Sequence, residues 1–394
     1  MMGEKKLVPK RRFANSTSNK SNVWRAVDLG SIANITKLAG FEFTKYVTYS
    51  NEGKIIALRG LNVKDNKIIL DDVKYIDKSD FSKLSRSKLF KDDLLFTYVG
   101  TIGEMAIIPI NDKYYLAPNV ARIRLEEQHD ANYLAQLIGS NIFYKRTIYP
   151  LIATSSQPAL SMENIRKFEV TVPAYKEQQK IGEFFKILDE RIANQERKIA
   201  KVKALKSAYL TDMFPQEGET IPKRRFKEFN GEWENKTLGE ILDVNSGRDY
   251  KHLQKGNIPV YGTGGYMLSV NDKLSEVDGI GIGRKGTIDN PQYLKSPFWT
   301  VDTLFYMTPR YKEDLYFLFS KSKTIKWREM DESSGVPSLS KNTIEEISLA
   351  IPSYIEQQKI GTFFKNLDDQ ITTEEKKLEK LKKTKEAYLE EMFV

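Results

Sequence analysis

The chain has 394 residues, which is enough for two or three domains. It contains no cysteine, so disulfides and thiolate metal sites are excluded, and this composition suits a reducing cytosol. The formal charge is +9 at pH 7, with 20 Tyr, 20 Phe and 4 Trp, a combination that indicates a polyanionic partner such as nucleic acid.

Other classes of protein are excluded by what the sequence lacks. His129 and His252 are its two histidines, too few for a multi-histidine metal site. There is no apolar run of 18 residues that would predict a membrane span, and no signal-peptide pattern. No Walker A motif or nuclease-like carboxylate cluster occurs. We therefore expect a cytoplasmic protein with no catalytic residue, metal site or bound cofactor of its own.

The chain opens with a basic segment that occurs a second time. VPKRRF at Val8–Phe13 returns as IPKRRF at Ile221–Phe226. Each copy is followed by a polar patch, a tryptophan (Trp24, Trp233) and a Leu-Gly pair. The start of each half of the chain is thus duplicated, which predicts two homologous modules.

The two middle segments differ in sequence but share an order of elements. In the first, apolar β-rich runs precede a helical pattern at 131–144, and in the second they precede one at 314–325. These patterns predict an α+β fold in both halves. The predicted strands are Lys54–Leu58, Ile68–Leu70, Asp93–Val99, Met105–Ile110 and Val120–Leu125, then Ile258–Tyr261, Ile280–Ile282 and Trp299–Met307.

Short motifs inside the middles are also repeated. A Gly-Thr-Ile turn occurs in Val99–Ile107 and again in Arg284–Gln292, and a Pro-x-Leu-Ser loop occurs in Thr154–Ile165 and Ser333–Ile344. Backbone N–H groups and hydroxyls in such loops can donate to phosphate oxygens. Tight turns followed by helix N-caps at Ser161 and Ser340 explain the same residues, and both interpretations can hold.

A longer repeat closes each half. Residues 172–214 and 351–393 are identical at about 24 of 43 positions without a gap, and both contain a proline, a QQKIG signature and a long helical pattern. Apolar residues recur at alternating spacings of three and four, as in a coiled-coil seam of about four heptads. Each helix is predicted to run about 34 residues, or about 50 Å.

The seams predict that the two helices pack against each other. Parallel packing in equal register would place Lys206 against Lys385, whereas antiparallel packing can place Lys206 against Glu374 and Lys385 against Gln195. We therefore predict an antiparallel coiled coil with a pseudo-two-fold axis. The alternative is that each seam packs on its own globular neighbour.

The duplicated basic segments, unlike middles and repeated QQKIG helices resemble the specificity subunit of type I restriction–modification systems, which serve in bacterial defence. The Tyr261–Gly265 and Arg284–Thr287 turns add to the resemblance, which covers essentially the whole chain. It implies target recognition domains at 1–171 and 221–350, with spacer helices and linker at 172–220 and 351–394. It also implies a non-enzymatic subunit that reads an asymmetric DNA target in two blocks.

The resemblance implies partners as well as DNA. Two adenine-N6 methyltransferase subunits would dock along the spacer, and restriction/translocase subunits would join through them. S-adenosylmethionine, ATP and Mg would then be bound by those partners. We expect this surface to include the QQKIG turns and the helix faces away from the seam, and the candidates are residues that repeat identically there: Gln178, Gln179, Phe184, Gln357, Gln358 and Phe363. The two phenylalanines could equally pack on their own domain.

Candidate DNA contacts are cations, aromatic residues and small polar residues placed in turns, because phosphates attract cations and bidentate side chains read bases. In the first middle they are Lys45, Arg59, Tyr98, Thr101, Ser155, Ser156 and Gln157. In the second they are Arg248, Tyr250, Thr263, Gly264, Tyr266, Arg284, Lys285 and Thr287.

Two motifs suggest a competing function as an enzyme. Residues 281–286 read G-x-G-x-x-G, but the following Thr287–Pro291 starts no helix, as a dinucleotide site requires. Asn290–Tyr293 resembles the Asn-Pro-Pro-Tyr motif of adenine methyltransferases without its second proline. A methyltransferase with a cryptic cofactor site and a coiled-coil scaffold without a role on DNA are the two alternatives.

Overall fold

A computed structural model describes residues 9–13, 24–38, 40–152, 158–310 and 312–393 of the chain. Its internal contacts separate two compact units. Unit 1 comprises Met1–Asn194 and Leu378–Val394, and unit 2 comprises Gln195–Lys377. Each unit therefore contains one of the two dissimilar middle segments, the first part of one long helix and the last part of the other. This grouping follows spatial contacts, whereas the four predicted segments follow the sequence repeats.

Unit 1 contains eleven of the described strands and begins the first long helix. The strands are β1 (Arg25–Asp28), β2 (Ala33–Lys37), β3 (Ile56–Leu58), β4 (Val63–Lys64), β5 (Lys67–Ile68), β6 (Lys74–Tyr75), β7 (Leu94–Thr97), β8 (Met105–Ile107), β9 (Tyr114–Leu116), β10 (Val120–Leu125) and β11 (Glu169–Val172). The helices are α1 (Leu29–Ile32), α2 (Gly40–Tyr46), α3 (Ala131–Ile138), α4 (Asn141–Phe143), α5 (Met162–Arg166) and α6 (Tyr175–Asp212).

Unit 2 contains the remaining described strands and three short helices. The strands are β12 (Glu234–Thr237), β13 (Leu242–Ser246), β14 (Lys255–Gly262), β15 (Gly265–Val270), β16 (Gly279–Gly283), β17 (Gln292–Leu294), β18 (Trp299–Thr300), β19 (Leu304–Pro309) and β20 (Ser348–Ile351). The helices are α7 (Leu238–Ile241), α8 (Leu315–Ser322), α9 (Lys341–Glu346) and α10 (Tyr354–Met392), the last of which continues into unit 1.

Three sheets have the same topology in both units, and unit 1 has an additional two-stranded sheet of β4 and β5. A four-stranded sheet has the order β2-β10-β7-β8 in unit 1 and β13-β19-β16-β17 in unit 2. A three-stranded sheet, β6-β3-β9 or β15-β14-β18, includes one parallel pair in each case. A two-stranded sheet, β1-β11 or β12-β20, joins the start of each middle to its end. The predicted α+β class and internal repeat are confirmed.

The strand predictions agree with the structure where runs of apolar residues are buried. Val120–Leu125 is a strand over the predicted residues, and Ile280–Ile282 lies within β16. The predicted run 299–307 is instead divided into β18 and β19, because residues 301–303 form a turn between two different sheets. The predicted helix at 131–144 is likewise divided, since α3 ends at Ile138 and Ser140 caps α4.

The glycines of the G-x-G-x-x-G motif are required by packing within a sheet. All residues of β16 are buried, and a Cβ at Gly283 would lie 2.0 Å from the carbonyl oxygen of Thr287. The strand continues into the Arg284–Thr287 turn and not into a helix. The motif therefore lacks the helix N-terminus that binds a dinucleotide phosphate.

The QQKIG signatures lie inside the long helices and not in turns. Helix α6 has 38 residues and α10 has 39, and both begin before the signature. Glycine is required there because another helix approaches closely: a Cβ at Gly182 would lie 2.3 Å from Asp130 Oδ1, and one at Gly361 would lie 2.1 Å from Asp314 Oδ1. The carboxylates of Asp130 and Asp314 cap α3 and α8. The helical cost of glycine, about 1 kcal/mol, is offset by this packing.

The two long helices run antiparallel within each unit, as predicted. In unit 1, Phe184 contacts Tyr388 and Lys385 Nζ lies 2.6 Å from Asp189 Oδ1. In unit 2, Tyr209 contacts Phe363 and Lys206 pairs with Asp368.

The predicted register was wrong. Gln195 donates to the Glu374 carboxylate at 2.7 Å, so neither residue is opposite the lysine assigned to it. The lysines instead pair with Asp189 and Asp368, which flank the seam and which our comparison of seam positions did not consider. Lys198, Gln195 and Lys377 hold the pKa of Glu374 at about 2.

The PKRRF segments hold the starts of the long helices. Arg12 donates to Glu177 through Nε at 2.8 Å and Nη2 at 2.6 Å. Arg225 donates to Glu356 in the same bidentate way, with both distances 2.7 Å. Glu177 and Glu356 are buried, so these ion pairs are structural contacts of each unit.

The neighbouring arginines stack on tyrosine rings. Arg11 lies 5.0 Å from the ring centre of Tyr388, and Arg224 lies 5.0 Å from that of Tyr209. Each opening segment thus contacts the start of one long helix and the end of the other. In the part of the chain that the structure describes, no helix is long and apolar enough to cross a bilayer, and no His, Asp and Glu cluster could hold a metal ion.

Candidate nucleic-acid interface

The repeated Gly-Thr-Ile turn has the same geometry in both units. Gly100 and Gly286 have φ values of +79° and +86°, which favour glycine, and a Cβ on either would meet no atom within 4 Å. The Gly100 amide donates to Pro158 at 3.1 Å, and the Gly286 amide donates to Pro337 at 2.8 Å. The turn is therefore joined to the Pro-x-Leu-Ser loop in each unit and presents an open edge to solvent.

Serine N-caps are part of the same arrangement. Ser161 Oγ accepts from the Asn164 amide at 3.0 Å, and Ser340 Oγ accepts from the Thr343 amide at 3.1 Å. The structural interpretation of these loops is thus confirmed. Exposed Thr101 and Thr287 leave the phosphate-binding interpretation as a prediction.

In unit 2, the turn between β18 and β19 brings three predicted stretches together. The Arg248 amide donates to Thr300 at 2.9 Å, and the Arg284 amide donates to Thr303 at 2.8 Å. Between them, the Val301 amide donates to Tyr261 at 3.0 Å, at the end of β14. Residues that are far apart in sequence therefore share one edge of the unit.

Gln292 joins the hairpin of β14 and β15 to this edge. Its Nε2 donates to the carbonyl oxygens of Gly262 at 2.9 Å and Thr263 at 3.0 Å. The next residue, Tyr293, donates its hydroxyl to Asp278 at 2.7 Å, and burial together with this bond raises the pKa of Tyr293. Two side chains of the motif that resembles a methyltransferase site, Gln292 and Tyr293, are thus engaged in internal contacts.

The cations on this edge are available to an anionic ligand. Arg248, Arg284 and Lys285 are exposed, and within the described ranges none has an ion-pair partner. Arg284 stacks over Phe305 with its guanidinium carbon 5.8 Å from the ring centre. Tyr250 and Tyr266 line a cleft of about 620 Å³ beside the hairpin. The structure therefore brings the unit 2 candidates together at one edge and the adjoining cleft.

In unit 1, two of the predicted residues share a cleft of about 620 Å³. Arg59 and Thr101 line it together with Tyr49, Lys64 and Asn119, which our sequence reading did not single out. These three were missed because they are spread over 70 residues and carry no repeated motif. Lys45 is exposed on α2, outside that lining.

Two of the unit 1 predictions require correction. Arg59 donates through Nη2 to the Asp72 carboxylate at 2.9 Å, so its charge is already paired within the chain. Tyr98 is buried, its pKa is raised by that burial, and Lys37 lies over its ring. Tyr98 therefore has little surface for DNA. Ser155, Ser156 and Gln157 lie outside the described residues.

The predicted partner surface is also divided. Gln178 and Gln357 are each 2% exposed. Gln178 accepts from the Asp130 amide at 3.1 Å and donates to Pro173 at 2.9 Å. Gln357 makes the equivalent bonds to Asp314 and Pro352 at 3.0 Å each. Both glutamines are therefore internal braces between a long helix and its unit, with no surface to offer a partner.

The other four residues of that set retain some exposure. Gln179 and Gln358 are exposed on their helices. Phe184 and Phe363 are half-buried, and each contacts the phenylalanine of its PKRRF segment. Packing on their own unit, which we had weighed equally, therefore accounts for much of each ring. Tyr175 and Tyr354 were missed, although both are exposed and lie four residues before Gln179 and Gln358.

Comparison with known proteins identifies the class. The family model described as "Type I restriction modification DNA specificity domain" matches residues 22–204 and 230–383. The two matches fall on the two halves of the internal repeat. The chain belongs to this family of DNA specificity proteins.

Two relatives of this chain are themselves named as type I specificity subunits. A type I specificity subunit of Mycoplasma genitalium is 24% identical over 248 residues, which are 59% of this chain and 64% of that protein. The EcoprrI specificity subunit of Escherichia coli is 25% identical over 154 residues, 36% of this chain and 38% of that subunit. The matched parts thus span less than two thirds of these relatives.

Solved structures share the fold over nearly the whole chain. The S subunit of a type I restriction–modification system from M. genitalium superimposes with a TM-score of 0.70 at 20% identity, covering 98% of this chain and 99% of that one. A chain from a study of type I complex assembly and conformational transition gives 0.52 at 16% identity, covering 93% and 96%. The chain is thus similar to specificity subunits in fold as well as in sequence.

Proposed function

We propose that this chain recognises a bipartite, asymmetric DNA sequence for a type I restriction–modification complex and has no catalytic activity of its own. The observation that supports the proposal is a duplicated scaffold whose two units differ in the residues at the edges proposed to read DNA. Both units contain the same Arg–Glu pair, glutamine brace and bridged Gly-Thr-Ile turn. Such a scaffold supports one task performed on two different sequences.

The asymmetry of the target follows from residues at equivalent positions. Counted from the shared turn glycines, Arg284 and Lys285 of unit 2 correspond to Tyr98 and Val99 of unit 1. A pair of cations and an aromatic–aliphatic pair cannot make the same contacts with base edges or phosphates. The two blocks of the target therefore differ.

We further propose two adenine-N6 methyltransferase subunits as direct partners, with restriction/translocase subunits joined through them. The exposed repeats Tyr175 and Gln179, and Tyr354 and Gln358, support two copies of one partner surface. Gln358 Nε2 lies 3.1 Å from the Tyr354 hydroxyl, which fixes one of these pairs. S-adenosylmethionine, ATP and Mg belong to those partners in this proposal, which places the complex in the cytoplasm with its DNA.

Mapping of N6-methyladenine tests the function. Cells would express this chain with its methyltransferase subunits, and the modified adenines would be located across the genome. We expect one motif made of two short, non-identical blocks with a fixed unread gap. Replacing residues 25–171 by those of another family member should change one block only. No methylated motif, or a change in both blocks, contradicts the proposal.

Substitution of two adjacent glutamines at the start of α6 distinguishes an internal structural role from partner binding. Gln178→Ala should lower the free energy of unfolding by about 1–3 kcal/mol, because it removes a buried side chain and leaves the half-buried Asp130 amide without its acceptor. Gln179→Ala should leave stability unchanged and weaken the methyltransferase complex. Urea unfolding and co-purification measure the two effects, and the reverse pattern would contradict the assignment.

A further inference from the structure

The hairpin of β14 and β15 projects from unit 2. The last pair of its ladder is Gly262 with Gly265, so Thr263 and Gly264 form the tip. A Cβ at Gly264 or Gly265 would meet no atom within 4 Å. The tip is therefore surrounded by open space, although Gln292 holds its base to the rest of the unit.

Both faces of the hairpin are exposed immediately behind this tip. Tyr266 is 62% exposed and Met267 is 49% exposed. Successive side chains of a strand point to opposite faces, so a hairpin packed on a core would bury one of the two. Farther from the tip, Val260 and Val270 are buried with Trp299 in a small core of their own. Only the end of the hairpin is thus free on both sides.

The surroundings of this end are positively charged. The adjoining cleft is lined by Lys251, Lys255 and Tyr250 along with β15, and none of the described residues that line it is acidic. Through Gln292, the tip is also tied to the edge that carries Arg284 and Lys285. A polyanion is the ligand that complements this charge.

A two-stranded ribbon fits the major groove of B-DNA, where the thymine methyl group is the one apolar feature of the base edges. We propose that the end of this hairpin enters the major groove at the block read by unit 2 and that Met267 contacts the C5-methyl group of a thymine there. The inference rests on the proposed function. Met267 suits this contact because its side chain is apolar and flexible.

Tyr266 supports the contact from the opposite face. Its hydroxyl lies 3.1 Å from Ser269 Oγ, and its ring packs at 6.5 Å against Tyr261. These contacts fix the ring beside the ladder, so Tyr266 stiffens the end of the hairpin, while Met267, whose sulfur lies over Gly262, keeps about half of its surface exposed to a base. Met267 is therefore the specificity-determining residue of the pair.

The test removes the methyl group from the DNA and the side chain from the protein. The assembled complex with its methyltransferase subunits would bind duplexes that carry the mapped target, with each thymine of the unit 2 block replaced in turn by deoxyuridine. For the wild type we expect about a fourfold loss of affinity at one position, as for one buried methyl group. Met267→Ala should bind the thymine and uracil duplexes equally, and Met267→Leu should retain the difference.

Val277→Ala is the matched control, because Val277 is an apolar residue of the same unit that is 56% exposed on the segment between β15 and β16, away from the candidate contacts. It should retain the thymine preference. A preference that survives in Met267→Ala, disappears in Val277→Ala, or is absent from the wild type overturns the inference. If the wild type shows no sequence-specific binding at all, the proposed function is overturned instead, so the two failures are distinguishable.

Discussion

Replacing Arg225 by alanine is expected to lower the free energy of unfolding of unit 2 by about 3–5 kcal/mol, because it leaves a buried carboxylate without its partner. Glu356 is 1% exposed, and Arg225 supplies both of its charged hydrogen bonds at 2.7 Å. No lysine could replace this fork, since its single ammonium cannot donate to both oxygens in the same planar geometry.

Tryptophan fluorescence during urea unfolding is a suitable measurement. Trp233, Trp299 and Trp327 lie in unit 2 and are buried, whereas Trp24 lies in unit 1. The signal therefore reports mainly on the unit that the substitution affects. A fitted midpoint is informative for this unit even though a chain with two units need not unfold in one step.

Arg224→Ala is the matched control for this experiment. Arg224 is adjacent in sequence, but its side chain is 57% exposed and its nearest carboxylate oxygen, on Asp212, is 3.7 Å away. Exposed ion pairs contribute about 0–1 kcal/mol, and the contact of Arg224 with the Tyr209 ring adds about 0.5–1 kcal/mol, so this variant should lose much less stability than Arg225→Ala. A second comparison replaces both Arg225 and Glu356 by leucine, which removes the buried charge and should recover much of the loss. Equal losses for Arg224→Ala and Arg225→Ala would contradict the buried-pair argument.

The second large effect is expected on DNA affinity and its salt dependence. Lys285→Ala should weaken binding to specific and unrelated sequences alike and lower the slope of log K against log salt by about one, as for one lost phosphate contact. Lys285 is exposed on the edge that includes Arg248 and Arg284. In the double variant with Arg284→Ala, the slope should fall by about two if both residues contact phosphate. A fall of about one with relaxed preference at a single base pair would instead assign Arg284 to a base edge.

Lys326→Ala provides the control for charge. Lys326 is an exposed lysine of the same unit, but its Nζ lies 3.3 Å from Glu217 and 3.5 Å from Glu329. Its charge is already balanced, so its removal should leave the salt slope unchanged. The assembled complex should be titrated with the mapped target and with an unrelated duplex between 50 and 200 mM salt, the range over which such slopes are measured. Unchanged affinity and slope in Lys285→Ala would remove this residue from the interface.

The candidate site was only partly predictable from sequence. The turns that carry Arg284 and Lys285 were found because a motif repeated in both halves marks a shared structure. Tyr49, Lys64 and Met267 have no such mark, and their places at a cleft or a hairpin end follow from strand pairing between distant segments. Arg59 was selected for its charge, yet Asp72 neutralises that charge in the fold.

The repeated helix starts illustrate a different error. An identical residue in two modules can indicate either a common partner or a common internal contact, because both constrain the residue in the same way. Gln178 and Gln357 turned out to brace α3 and α8, while their neighbours Gln179 and Gln358 are exposed. Adjacent positions of a helix point in directions about 100° apart. The buried fraction of each side chain therefore distinguishes an internal brace from a surface residue, whereas repetition of the residue type does not.

The sequence by itself determined the duplication, the α+β class and the antiparallel direction of the long helices. These features depend on local periodicity and on the sign of charges along a seam, which are properties of the chain in order. Tertiary structure alone decided the register of those helices and the residues that form the candidate DNA-binding edges. Asp189 and Asp368 lie beside the seam, and their pairing with Lys385 and Lys206 sets the register through side-chain reach in three dimensions. Likewise, the edge of unit 2 forms because Thr300 and Thr303 accept hydrogen bonds from the amides of Arg248, which precedes the β14–β15 hairpin, and Arg284, which follows it.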